Sequence, residues 1–297
     1  MHSKAFPYIA LLGFFWGSNL VAARFGTGEF SPFFFIALRL MIATLCFLPF
    51  MVTGGRTFPT NKQTWKLAMF SGLLGVAIPM SAFILSLQYM SSGLVSIFVT
   101  TAPAMIAIAA HFFLPDEKLA PFKWIGVGLA LLGSVFLVGL GESGLSDVSR
   151  VNPIGPLLIA FGLISDAANT VFVRRNMRDQ DTVQVTGIRL FTGALLLIIL
   201  SLTFESVSFE GVTGWGVFSL VYAALIGAVA GQFMAFYIMQ KYGAISFSMV
   251  SFVVPIVATL LGVLLLGEIV TWGMGIGVIL IAAGIFVLNR PDASIAD

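Results

Sequence analysis

Three side chains carry full charge where the surrounding sequence is apolar: Arg39, Asp166 and Arg189. An ionised group at mid-depth in a bilayer costs about 2.5 to 3.5 kcal/mol on insertion scales, so each needs a partner or a ligand. Asp166 and Arg189 have opposite signs and are expected to neutralise each other. Arg39 has no acid in the corresponding place. It must use Asn19, backbone carbonyls, Glu29 or the carboxylate of a bound substrate; the alternative for both arginines is to snorkel to the headgroups. Asn19 and Asn169 lie 150 positions apart, with Trp16 three residues before the first and Asp166 three before the second, so each pair shares a helix face. Ser96, Thr100 and Pro103 make one polar stripe, and Ser248, Ser251, Pro255 and Thr259 make another. A proline in lipid frees the carbonyl one turn earlier, which a hydroxyl, a neighbour or water then satisfies. Such stripes read either as cavity walls with Pro103 and Pro255 as hinges, or as small faces that pack helices together. Gln88, Gln232 and Tyr237 are further polar candidates. The chemistry on offer is reversible binding of a small polar molecule. The single Cys46, two distant histidines and no carboxylate cluster within a helix offer neither a metal site nor a hydrolytic triad.

The elements that must position these groups come in two copies. Gln88, Ser96 and Pro103 recur 152 positions later as Gln240, Ser248 and Pro255, and Glu117, Gly126 and Gly133 recur 151 later as Glu268, Gly277 and Gly284. Ile9, Ala10, Asn19, Val21 and Arg24 are matched at 150 by Ile159, Ala160, Asn169, Val171 and Arg174, as are Arg39 by Arg189 and Trp65 by Trp215. A duplication with small insertions explains the pattern. Each copy ends in an apolar helix with a proline in its middle, a turn carrying a glutamate and a glycine-studded apolar helix. Glu117 and Glu268, just before a helix, are expected to accept its unpaired amides, with proton coupling as the alternative. His111 reads as an interfacial or packing residue.

Composition places all of this in a membrane. Of 297 residues, 59% are hydrophobic and 9% charged, Phe alone numbers 29, and mean hydropathy is +1.03. An ordinary soluble chain carries about 25% charged residues. The length accommodates about ten helices of roughly 20 residues with short connections, which leaves no room for a soluble catalytic domain. The fold class is therefore all-α integral membrane, ten transmembrane helices in two five-helix repeats, with the organisation 1–142, an inter-repeat loop at 143–153, and 154–297. The helices are expected from about residues 6, 32, 65, 93 and 121, then 154, 183, 215, 244 and 271. The first apolar run has a partner in the second half, so it is expected to be helix 1 and not a cleaved leader. Lys and Arg fall mostly in the loops of one side (Lys4, Arg56, Lys62, Lys66, Lys118, Lys123, Arg174, Arg175, Arg178, Lys241, Arg290), with only Arg24 and Arg150 opposite, so both termini are expected in the cytoplasm. An odd number of helices per repeat inverts the second repeat relative to the first, an arrangement common among secondary transporters.

The small net charge of +2, dispersed over the loops, gives no nucleic-acid partner. Gly273-x-Gly275-x-Gly277 lies in an apolar helix and follows no strand, so it is not a nucleotide loop; like Gly227-x-x-x-Gly231 and Gly126-x-x-x-Ala130, it fits close helix packing. No Walker motif is present, and no cofactor is expected.

On Leu114-Pro-Asp-Glu117, Leu265-Leu-Gly-Glu268 and the glycine runs that follow them, the chain resembles the EamA-type members of the drug/metabolite transporter superfamily from about residue 6 to residue 289. The resemblance implies a multi-pass exporter of the inner membrane acting on small metabolites, amino acids prominent among them. It also implies a central cavity lined by helices 1, 3, 4, 6, 8 and 9, with helices 5 and 10 at the periphery. Other readings are a drug or cation exporter that uses Asp166, a passive channel, and a membrane-embedded lipid-modifying enzyme, which would need paired acids or a metal within the membrane.

Overall fold

A computed structural model describes residues 2–53, 61–146, 152–178 and 180–290. Arg56 and Arg150 of the charge comparison lie outside them, as do the side chains of Lys4 and Ser248 and part of the inter-repeat loop. Among the described residues all regular structure is helical. The first half contains α1 (His2–Glu29), α2 (Pro32–Thr53), α3 (Lys62–Gly72) running through a π-helical segment, Leu73–Ala77, into α4 (Ile78–Ser86), then α5 (Ser92–Val99), α6 (Ala102–Phe113) and α7 (Lys123–Leu140). The second contains α8 (Ile154–Asn176), α9 (Thr182–Phe204), α10 (Gly214–Tyr222) running through a second π segment, Ala223–Ala230, into α11 (Gly231–Ser248), then α12 (Val250–Leu266) and α13 (Trp272–Leu288). Eight helices are long and apolar enough to cross a bilayer, and α12 and α13 are shorter apolar helices of 17 residues each. The outer surface displays large apolar side chains such as Leu132, Val135, Leu264, Leu265 and Phe286, each more than half exposed, as a lipid-facing surface requires and a soluble one does not tolerate.

Polar residues between the apolar runs start the helices. Asn61, Ser91, Asp181, Thr213 and Thr271 each accept an amide of the first turn of α3, α5, α9, α10 and α13. Gly141 and Gly267, at φ of 67° and 66°, end α7 and α12 in the left-handed conformation that a side chain would disfavour.

The two prolines that looked equivalent are not. Pro103 does not sit in mid-helix. The chain breaks at Thr100–Thr101, and Pro103 falls in the first turn of α6, where its missing N–H has no partner to lose. Pro255 does lie inside α12. The carbonyl it frees, that of Ser251, accepts from Thr100 Oγ1 at 3.4 Å across the repeats. The ninth apolar helix starts at Val250 and not near Ala244, because α11 continues to Ser248.

The halves interlock. α1 packs on α10, the second π segment, α11 and α12, all from the other half, and α8 packs on α3, the first π segment, α4, α5 and α6. α2 lies against α9, and α7 against α13. Missing side chains make the close approaches possible. A Cβ on Gly17 would stand 2.7 Å from Val257, one on Gly162 2.6 Å from Phe83, and one on Gly126 2.6 Å from the carbonyl oxygen of Gly284.

Candidate functional site

The two π segments sit at matched places in the repeats, and the offset between copies changes from 150 to 152 within the interval that contains them. A π turn widens the helix and leaves carbonyls misaligned, a feature frequent at functional sites. In the first segment the carbonyl of Leu74 is satisfied from the other half by Ser165 Oγ at 2.7 Å. One turn along α8, Asn169 is 5% exposed and lies beside Gly75, whose missing side chain leaves the space that the amide fills; a Cβ there would also stand 2.7 Å from Arg189 Nη2. With the amide oriented to satisfy both neighbours, its nitrogen donates to Ser71 Oγ (2.7 Å) and its oxygen accepts from Arg189 Nη2 (3.3 Å). Asp166 and Arg189 act on each other electrostatically, yet no ion pair closes between them within 4.0 Å. The nearest polar partner of Arg189 is therefore Asn169, with Asp166 as a more distant counter-charge.

The same parts recur on the other side. Asn19 of α1, 7% exposed, packs against Gly227 of the second π segment, and its Oδ1 has no hydrogen-bond partner. Trp16 sits a turn earlier, its indole Nε1 against Gly231 and its ring edge-on to Phe247 at 6.0 Å. Ser18 bonds Tyr222 at 2.8 Å. Arg39, on α2, is 2% exposed, its Nε is unpartnered, and no carboxylate of the described residues lies within 4.0 Å of it. Glu29 does not serve it. That carboxylate accepts from Thr213 N and Oγ1, both at 2.8 Å.

The remaining polar stripe surrounds the α5–α12 contact. Ser96 and Thr100 are buried and bonded to the Gly93 and Ser96 carbonyls at 2.5 and 2.8 Å. Thr259 reaches across to Gly93, whose Cβ would stand 2.6 Å from its Oγ1, and Ser251 supplies the carbonyl that Thr100 caps. Of Ser248 only the backbone is described. Gln88 is exposed in the turn after α4, and Gln232 and Tyr237 are exposed on α11, where Tyr237 bonds Lys241 at 2.7 Å and packs on Tyr8.

Neither repeated glutamate caps the helix that follows it. Thr271 caps α13, while the Glu268 carboxylate, 6% exposed, reaches back to α5 and accepts from Ser92 N (2.7 Å) and Ser92 Oγ (2.8 Å). It is paired with Arg24 at 3.1 Å. Glu117 pairs with Arg174 at 2.8 Å and Asp116 with Arg178 at 3.8 Å.

The sequence matches the EamA-like transporter family twice, over residues 3–139 and again over 153–290. The chain belongs to the EamA-like transporter family. It is thus a multi-pass membrane transporter. A Bacillus subtilis protein described as the uncharacterized transporter YoaV is 26% identical over 272 residues, covering 92% of each chain. An Escherichia coli protein described as the uncharacterized inner membrane transporter YedA is 25% identical, covering 93% of this chain and 88% of its own length. A chloroplastic WAT1-related protein of Arabidopsis thaliana is 26% identical over 95% of this chain and 68% of its own. A protein crystal structure superposes with a TM-score of 0.66 at 22% identity over 96% of this chain, a likeness of fold. In this EamA-like transporter the residues that sequence reading passed over are Ser71, Gly75 and Ser165, and Gly227 was read only as a packing glycine. The recurrence of Gly75 as Gly227, at the offset of 152 already in view, was the available signal.

Proposed function

We infer that this transporter exports small metabolites, amino acids foremost, across the inner membrane by alternating access. In this reading the eight long helices and the two shorter ones make ten spans, residues 1–142 and 154–297 form inverted five-helix repeats, and both termini lie in the cytoplasm. The observation that carries it is the crossed pair of buried sites. Asn19 faces the π segment of the second half and Asn169 with Arg189 faces that of the first, so each half presents a buried amide to the π segment of the other. The sites differ in charge. Arg189 has Asn169 and the field of Asp166, whereas Arg39 has no carboxylate of the described residues within 4.0 Å and is the group suited to a substrate carboxylate. A zwitterion matches a pair of sites of which one retains an acid and the other an unpaired base. The ring of Trp16 would pack on the apolar part of such a molecule, with Ser96, Thr100, Ser251 and Thr259 along the wall. Export of cations would rest on Asp166 alone, and Arg189 already competes for that carboxylate. The description of YedA as an inner membrane transporter supports the localisation.

The test is counterflow of labelled amino acids in liposomes that hold the purified protein. Saturable exchange stimulated by internal unlabelled amino acid is the expected result. Linear, non-saturating flux would make the protein a channel, and exchange of organic cations but not amino acids would move the substrate class.

A further inference from the structure

Two ion pairs are images of each other under the repeat. Arg24, near the end of α1, meets Glu268 in the turn between α12 and α13; Arg174, near the end of α8, meets Glu117 in the turn between α6 and α7. Each joins the first helix of one half to the last turn of the other. Between Glu117 and Glu268 run α7, α8, α9, the helix of α10 and α11, and α12. Five successive crossings put the two pairs on opposite faces of the membrane.

Their surroundings differ. At the Arg24 end the side chains are 22% and 3% exposed, against 57% and 32% at the Arg174 end. Arg24 also donates to the carbonyls of Leu87 and Met90, and the strap after α7 is pinned beside it through Ser91 N to Ser143 O (2.9 Å) and Ile269 N to Gly144 O (3.0 Å). A cleft of about 410 Å³ has Arg24, Thr27, Glu29 and Gln88 in its lining.

We propose that the two pairs are the latches of the transport cycle: Arg24–Glu268 closes one face, Arg174–Glu117 closes the other, and they open in turn. The buried Arg24–Glu268 pair has no half-open state, because its separation is tolerable only once water reaches both charges; the more exposed Arg174–Glu117 pair opens at little cost and is the weaker latch. Because the first helix of each half is seated in the opposite half, a rocking movement that draws α1 away from the α12–α13 turn drives α8 toward the α6–α7 turn. One latch tightens as the other loosens. The inference rests on the transporter reading for what passes through, but its test uses no substrate.

Ser96, 1% exposed and one turn below Ser92, reports the closed face. In a Cys46→Ser background, a cysteine replacing Ser96 is labelled with an impermeant maleimide applied to intact cells, on the face bearing Glu268. Arg24→Gln and Glu268→Gln should each raise the labelling rate about tenfold or more, since each breaks a buried pair. Arg24→Gln separates latching from capping, because Glu268 keeps its bonds to Ser92. It also carries the test alone if Glu268→Gln does not fold, as judged by thermal unfolding of the purified protein. The decisive measurement adds Arg174→Gln to Arg24→Gln. Loosening the opposite latch should draw the population back and cut the raised rate several-fold, an effect that a merely structural ion pair at the far face cannot produce. An unchanged rate in Arg24→Gln, or a raised rate indifferent to Arg174→Gln, overturns the latch. Absence of counterflow in the wild type would overturn the transport reading instead.

Discussion

Gly284→Ala places a methyl group where the structure leaves no room. A Cβ there would stand 2.5 Å from the backbone nitrogen of Ala130, 2.5 Å from the carbonyl oxygen of Gly126 and 3.0 Å from the Ala130 side chain. Two of these three atoms are backbone, so no rotamer change relieves the contact, and α7 and α13 must separate by about 1 Å to restore ordinary distances. Overpacking of this kind costs about 1 to 3 kcal/mol, and the upper end applies because the obstruction is rigid. The better helix propensity of alanine returns up to about 1 kcal/mol, leaving a net loss of about 1 to 2 kcal/mol. Gly128 and Gly275 lie on the same two helices with nothing within 4 Å of a built Cβ. Gly128→Ala and Gly275→Ala should therefore stabilise by about 0.5 to 1 kcal/mol. The assay is unfolding of the purified protein in detergent, followed by circular dichroism. The expected result is a gap of about 1.5 to 3 kcal/mol between Gly284→Ala and Gly275→Ala, with opposite signs. Shifts of the same sign and size would refute the idea that backbone contact at Gly126 and Gly284 sets the α7–α13 distance.

The two prolines should part company in counterflow: Pro255→Ala restores an N–H bond to Ser251 and should slow exchange several-fold with near-normal substrate affinity, whereas Pro103→Ala in the first turn of α6 restores none and should leave the rate unchanged. Equal effects would remove the distinction. Asp166→Asn should destabilise by about 1 to 3 kcal/mol and Arg189→Leu added to it should recover part of the loss; strict additivity in this double-mutant cycle would mean that the two charges do not feel each other. For topology, cysteines replacing Ser208 and Asn61, both exposed, should react from opposite faces in a Cys46-free background, Asn61 from inside. Reaction of both from the same face would break the ten-span arrangement, and reaction of Asn61 from outside with Ser208 from inside would invert it. Ser143 in the segment after α7 is 2% exposed and would be a poor reporter.

Much of this architecture was legible without coordinates, and the places where it was not are instructive. Repeat spacing revealed the duplication and the pairs Arg24/Arg174 and Glu117/Glu268, because identity at a fixed offset survives in one dimension. That each arginine meets the glutamate of the other half, and that Glu268 caps α5 and not the adjacent α13, depends on interlocking that no local spacing encodes. Pro103 and Pro255 occupy matched positions of the repeat but have different roles, since the break at Thr100–Thr101 sets the register of the first and nothing comparable precedes the second inside α12. The expected Asp166–Arg189 contact does not close within 4.0 Å; Asn169 stands closer to the guanidinium, held there by the notch at Gly75. A missing side chain is legible as a glycine, but what fills the space it leaves is not.

The interlocking of α1 with α10 through α12, and of α8 with α3 through α6, also governs how the chain can be made. While the second half is still being synthesised, α1 has only minor contacts with its own half, and Asn19 is in place without the π segment it meets in the finished protein. The first half is thus an unfinished surface that must be held until α12 arrives, roughly 100 residues after α7 at a ribosome rate of about 5 to 20 residues per second, an interval of several seconds or more. A chain cut between the halves should still assemble when both pieces are made together, whereas either piece alone should be a substrate for membrane proteases.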